Sequence, residues 1–214
     1  MVLVTWHGHA CVELKASTGF TVVFDPHDGV SLGIKPPSVK ADLVLVSHDH
    51  FDHNATHIVA KPGAKVLKMN YGEVVVGDVR VRGFKSYHDK SRGAERGLNT
   101  IYMVEIEGFK VVHLGDLGDR PDDDTMREVG GAHLLITPVG GRYTIGPGEA
   151  WSLVEELKPV NVMPIHYRIP GLKLPIQPVD DFLKLVKGYN VVRLDKSSFN
   201  LGEYRNSVIV PKYV

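Results

Sequence analysis

Ser47-His48-Asp49-His50-Phe51-Asp52-His53-Asn54 follows directly on the apolar run Ala41 to Val46, and its reading decides the fold. The run ADLVLV has the length and branched content of a buried strand. Positions 48 to 53 then hold three histidines and two aspartates. His48 and His50 are two apart, so in an extended loop at a strand end both rings point to the same side. Asp52 and His53 fall where a following helix is expected to begin, with Ile58, Val59 and Ala60 as its apolar face and Pro62-Gly63 as its stop. So many polar groups need either solvent or a cation among them. Three imidazoles and a carboxylate at one strand end suit a borderline divalent metal.

Working outward, strands are expected at residues 2–5, 11–14 and 21–24, the last two as a hairpin around Ser17-Thr18-Gly19. Gly29 to Val39, rich in Pro and Gly, reads as a surface loop. Short strands follow at residues 65–68, 74–76, 79–82 and 84–87, with a turn at Gly77-Asp78. A hairpin across Glu107-Gly108 joins strands at 100–106 and 110–114, and a short helix is expected over 122–129. Strands at 132–139 and 160–165 flank an amphipathic helix at 148–157. A helix over 178–187 and a hairpin within 191–210 complete the chain. No repeat or linker divides it, so residues 1–214 are read as one domain. A meander followed by strand–helix units fits α/β layering with two sheets and helices outside. His48, His88, Asp116 and His166 each come just after an expected strand, and strand ends on one rim of a sandwich can converge.

Composition narrows the function. The chain has 214 residues, 43% hydrophobic and 23% charged, with 25 basic and 25 acidic side chains. Zero net charge argues against a nucleic-acid partner. No apolar run approaches the roughly 20 residues of a membrane span, and no signal peptide is visible. One cysteine, Cys11, excludes an internal disulfide. A cytoplasmic protein is the expectation. Eleven histidines is the unusual count.

His48-x-His50-x-Asp52-His53, followed by His88, Asp116 and His166, resembles the signature of the metallo-β-lactamase fold. Gly8-His9-Ala10, Asp25-Pro26, the segment from Val112 to Gly118, Pro138 to Gly141 and Met163 to Tyr167 resemble one branch of it. That branch is the small stand-alone metal-dependent hydrolases that include the ascorbate-6-phosphate lactonase. The resemblance runs over roughly residues 1–168 and leaves the C-terminal segment unassigned. It implies a four-layer αββα sandwich of mainly antiparallel and mixed sheets. It further implies that His48, His50 and His88 hold one divalent ion and that Asp52, His53 and His166 hold a second, with Asp116 bridging. Zinc is the expected metal, with manganese or iron as alternatives. Two such ions, about 3.5–4 Å apart, share a hydroxide and polarise the bond under attack. Asp52 is placed both to ligate and to act as a base on the attacking water.

His9 and Asp25 are candidates to hydrogen-bond a ligand from behind. His113, three before Asp116, is either such a support or a buried histidine; His7, His27, His57 and His133 are given no role. Arg142 and Tyr143, in the glycine-rich turn from Gly140 to Gly148, are candidate substrate contacts, as is Tyr167 beside His166. Arg92 and Arg96 follow His88 in a polar loop that reads as a solvated flap, with the clamping of an anion as the alternative. The expected activity is hydrolysis of an ester, lactone or phosphodiester bond in a small substrate. The alternatives are a nuclease of the same fold and a catalytically silent metal- or partner-binding module. Related small hydrolases often assemble as homo-oligomers, but no feature of this sequence fixes the state.

Overall fold

A computed structural model describes residues Met1 to Val214, and its first strands follow the apolar alternation closely. β1 (Leu3–Trp6), β2 (Val12–Lys15) and β3 (Thr21–Phe24) form an antiparallel meander. β4 (Ala41–Val46) pairs parallel to β3. The helix expected after it is a single short element, α1 (Thr56–Val59), and β5 (Ala60–Lys68) begins at once, parallel to β4. Pro62-Gly63 is therefore not a helix stop but part of β5. β5 is an edge strand, where a missing N–H need not break a ladder bond.

β6 (Gly72–Val76), β7 (Val79–Tyr87), β8 (Leu98–Ile106) and β9 (Phe109–His113) continue as an antiparallel meander. β7 runs unbroken through Gly83, where two short strands were expected. A Cβ there would lie 1.8 Å from the Asn70 carbonyl oxygen, so only glycine lets the strand pass. Next come α2 (Asp123–Val129), β10 (Leu134–Pro138), α3 (Pro147–Leu157), β11 (Asn161–Ile165) and α4 (Val179–Leu183). Asp122 caps α2 by accepting the Thr125 N–H at 2.7 Å. α3 opens with Pro147 in its first turn, and it buries Ala150, Trp151, Leu153, Val154 and Leu157. α4 is shorter than expected, at five residues.

β12 (Asn190–Arg193), β13 (Ser198–Asn200) and β14 (Ser207–Val210) correct the expected C-terminal hairpin. β12 and β14 are parallel neighbours, while β13 crosses over to pair antiparallel with β1. All four residues of β14 are buried, and a run buried on both faces belongs inside a parallel sheet.

The result is an α/β fold of two mixed sheets, ordered β13-β1-β2-β3-β4-β5 and β12-β14-β11-β10-β9-β8-β7-β6. They enclose one main core that includes Leu14, Phe24, Leu45, Ile101, Leu114 and Ile136. α3 packs on β10, and α2 and α4 pack against α3. The outer face of the six-stranded sheet is covered more thinly, with Val59 of α1 meeting Cys11, Val23, Val44 and Val46. No helix is long and apolar enough to cross a membrane. The C-terminal ends of β4, β7, β9 and β11 open on one rim. There the Thr100 N–H donates to the Ser47 carbonyl at 2.9 Å and ties the two sheets together.

Candidate metal centre

Asp116 Oδ2 lies at the focus of that rim. It is 3.2 Å from Nε2 of His53, 3.3 Å from His166, 3.4 Å from His88 and 3.8 Å from His48. Two of the groups the donor atoms form share no residue, and a third, Asp25, His48 and His53, links them. His48, His50 and His88 form one, and His9, Asp52, His53 and His166 form the other; within each, the atoms lie within 4.8 Å of one another. Nε2 of His48 and Nε2 of His53 are buried with no hydrogen-bond partner, as is Oδ1 of Asp116. Buried polar atoms left bare this way are costly unless a cation meets them. The donor set fits a divalent metal, and these residues are able to hold one.

The supports behind the cluster fix which ring nitrogens face inward. Ser47 Oγ donates to Asp25 Oδ2 at 2.7 Å, and Asp25 Oδ1 accepts the Ser47 N–H at 2.7 Å. With the serine proton so committed, His48 Nδ1–H donates to Ser47 Oγ at 2.9 Å, and its Nε2 lone pair is left pointing at the cluster. Asp25 also faces His53 Nδ1 at 3.2 Å. His9 Nε2 is 3.0 Å from Asp52 Oδ2, so it supports a carboxylate rather than a ring. The His9 carbonyl in turn accepts the His166 N–H at 3.1 Å. His9, Asp25 and His166 all sit at positive φ (51°, 43° and 51°), a conformation residues with side chains rarely adopt. Gly140 makes room for the last of these, since a Cβ there would lie 2.1 Å from the His166 carbonyl oxygen.

His113 hydrogen-bonds no side chain of the cluster. Its Nε2–H donates to the Ala10 carbonyl at 3.0 Å, its Nδ1 accepts the Gly115 N–H at 3.0 Å, and its ring stacks on Phe24. It shapes the turn before Asp116 through the backbone alone. Two supports carried no sequence signal. Asn99 Oδ1 accepts the Asp116 N–H at 2.9 Å, while its Nδ2 donates to Ser86 Oγ and to the Leu114 carbonyl. Ser47 stood in the motif as an unremarked strand-end residue.

Burial drives the His48 ring down to about 3, with His53 adding to the effect. Burial also lowers His9 to about 3, helped by His166, and it lowers His88. These rings are neutral at pH 7, the form in which imidazole binds a metal. His53 goes the other way: burial opposes its charge, but Asp116 and Asp52 outweigh it and raise the ring well above its ordinary value. Burial likewise disfavours the charged forms of Asp116 and Asp52, yet the surrounding imidazoles hold both far below the usual carboxylate range.

Above the cluster opens a cleft of about 340 Å³, with His50, Asp52, His88, Asp116 and His166 as its floor. Phe51, Leu174, Arg96 and Tyr143 form its walls. Of the expected substrate contacts, Tyr143 faces this space. Arg142 is exposed outside it, its guanidinium 5.6 Å from the Tyr143 ring centre. Arg92 is exposed and does not line it. Tyr167 is buried against Trp6, with ring centres 5.1 Å apart; His166 faces the rim, and its neighbour points away into the core. Arg96, expected to belong to a solvated flap, instead lines the cleft.

Residues 3–166 match the Beta-lactamase superfamily domain. The chain is 33% identical to a UPF0173 metal-dependent hydrolase of Thermococcus onnurineus, over 78% of this chain and 85% of the relative. A crystal structure from Thermotoga maritima, described as a candidate Zn-dependent hydrolase of the metallo-β-lactamase superfamily, superposes with a TM-score of 0.79. The two are 35% identical, over 99% of this chain and 98% of that one. Igni18, a metallo hydrolase from Ignicoccus hospitalis, has the same fold at a TM-score of 0.65 and 21% identity, covering 86% and 90% of the two chains.

Proposed function

We propose, for a chain that belongs to the metallo-β-lactamase superfamily and within it to the UPF0173 metal-dependent hydrolases, a two-metal hydrolase acting on an ester, lactone or phosphodiester bond of a small substrate. His48, His50 and His88 would hold one divalent ion, and Asp52, His53 and His166 the other. The observation that carries this reading is the position of Asp116 Oδ2, within 3.8 Å of imidazole nitrogens from both groups. A carboxylate oxygen so placed is suited to being shared. Zinc suits a donor set of imidazole and carboxylate, with manganese or iron as substitutes.

When bound, a divalent pair acidifies water at the site and polarises the bond under attack. The protein's own groups do the rest. Asp52 lines the cleft and, held in place by the His9 ring, would orient the attacking water as a hydrogen-bond acceptor. Asn99 and His113 fix the turn that carries Asp116, so the shared oxygen needs no rearrangement. Ser47 and Asp25 orient the His48 and His53 rings. The cleft admits a small molecule and keeps one side of it off bulk water. The resemblance of the motif segments to small lactonases is the reason a lactone stands among the bonds to test.

Elemental analysis of protein purified without chelator, alongside a panel of lactones, phosphodiesters and thioesters, tests the proposal. About two equivalents of metal per chain and turnover of one bond class are expected. Metal-loaded protein inert across the panel would point instead to a binding module.

A further inference from the structure

Arg96 is the one cationic side chain lining the cleft, and it forms no ion pair there. We propose that its guanidinium anchors a carboxylate or phosphate group carried by the substrate away from the bond that is cleaved; this rests on the hydrolase reading above.

Three observations converge on it. First, the loop bearing Arg96 is built rather than loose. The Asp89 carboxylate accepts the N–H groups of Ser91 (2.8 Å), Gly93 (2.9 Å), Glu95 (3.1 Å) and Arg96 itself (2.7 Å). That loop follows His88 directly, so Arg96 is tied to the floor of the site by a short ordered segment. An anion meeting it does not have to order the loop first.

Second, the guanidinium lies against the Tyr143 ring, 5.5 Å from its centre, while Arg142 flanks the same ring at 5.6 Å. An arginine held over an aromatic ring keeps its N–H donors free at its edges, and the planar fork matches two oxygens of a carboxylate or phosphate. Two loops far apart in sequence, 89–97 and 140–146, thereby place a cation and a phenol at one wall.

Third, the remaining charged groups of the cleft are spoken for. Asp52 and Asp116 face the imidazole cluster, so Arg96 has no carboxylate of this chain to neutralise it. Phe51 and Leu174 are the apolar parts of the lining. The matching ligand is a short molecule with an apolar middle and an anionic end.

The test uses metal-loaded protein and three p-nitrophenyl esters of equal chain length, tailed with a carboxylate, a phosphate or a neutral amide. The quantity read is the ratio of kcat/KM for each charged ester to that of the neutral one. In Arg96→Gln this ratio should fall about tenfold, the worth of one charge-assisted hydrogen bond, with Arg96→Lys in between. Arg92→Gln, a change on the same loop outside the cleft, should leave the ratio as in the wild type. A fall confined to the carboxylate ester or to the phosphate ester identifies which anion the site takes. Equal loss for all three esters, or a wild type that does not distinguish the tails, overturns the proposal. Calorimetric binding of the corresponding tailed amides separates the two readings. Tail-selective binding lost in Arg96→Gln without turnover of any ester would strike the hydrolase reading alone, and binding indifferent to Arg96 would strike this one.

Discussion

His9, Asp52, His53 and His166 are all buried, whereas His50, grouped with His48 and His88, reaches partly into solvent. The deep group is also the better braced. Asp25 backs the His53 ring, His9 holds the Asp52 carboxylate, and the His9 carbonyl holds the His166 backbone. In the open group His48 leans on Ser47, while the His50 ring lies against the rings of His48 and His88 with no side-chain hydrogen bond to brace it. Preorganised donors lose less freedom on binding. If the site holds two ions, as proposed, they should be held unequally, with the outer one exchanging first and the inner one staying.

Asp116 is the group that both halves share, so removing its charge should produce the largest effect. Asp116→Asn keeps the shape and the Asn99 contact to its N–H but withdraws the shared anion. Turnover should fall by more than about 100-fold, beyond the loss typical of a supporting residue, and metal content should drop with it. Steady-state rates measured beside elemental analysis decide the point. A variant with wild-type turnover would refute the shared role.

The next effect separates the halves directly. Metal release to a chromophoric chelator should be biphasic. His9→Gln should weaken the slow-releasing ion by about 10–100-fold, Ser47→Ala should act on the fast one, and Asp25→Asn, which removes the support of both Ser47 and His53, should act on both. A single release phase in the wild type would erase the difference between the halves.

Much of this was legible in the chain, and the reason is local. The spacing His48-x-His50-x-Asp52-His53 is short-range information, and His88 and His166 follow their strands directly. What was not legible depends on which distant segments meet. Asn99 could be recognised as the anchor of Asp116 only once β8 and β9 were seen to be neighbours. The backbone conformations at His9, Asp25 and His166 are imposed by packing, and no propensity signals them. Tyr167 fell outside the site because adjacent residues face opposite ways. The C-terminal strands were read as a hairpin because alternation cannot show that β13 leaves for the other sheet.

A smaller effect tests whether burial alone, without ligation, accounts for the depressed histidines of the deep region. His27 is buried near that region; its Nε2–H donates to the His7 carbonyl at 3.1 Å and its Nδ1 has no partner. Burial lowers it to about 4. In the unfolded chain the ring takes a proton near pH 6.5, and in the folded protein it does not until about pH 4. Stability contributed by its neutrality is thus lost as pH falls through that window, by at most about 1.4 kcal/mol per pH unit. Urea unfolding at pH 7 and pH 5 should show wild type losing about 2 kcal/mol more than His27→Gln. Equal losses would mean that His27 is already solvated or protonated.

The smallest expected effect lies at the mouth of the open half. Phe51 sits between two of the histidines, yet its side chain is 59% exposed and lines the cleft rather than the core. A large apolar side chain left in water beside a polar site stabilises little in the free protein, so Phe51→Ala should barely move the unfolding midpoint. Its worth should appear only when an apolar stretch of substrate covers it. Partial burial of one ring against a ligand is worth about 1 kcal/mol or less, a change in KM of at most about fivefold. Because Phe51 belongs to neither bracing network, both phases of metal release should stay as in wild type. If Phe51→Ala instead speeds release of the outer ion, the ring shields His50 from solvent, and the open half is less open than its exposure indicates.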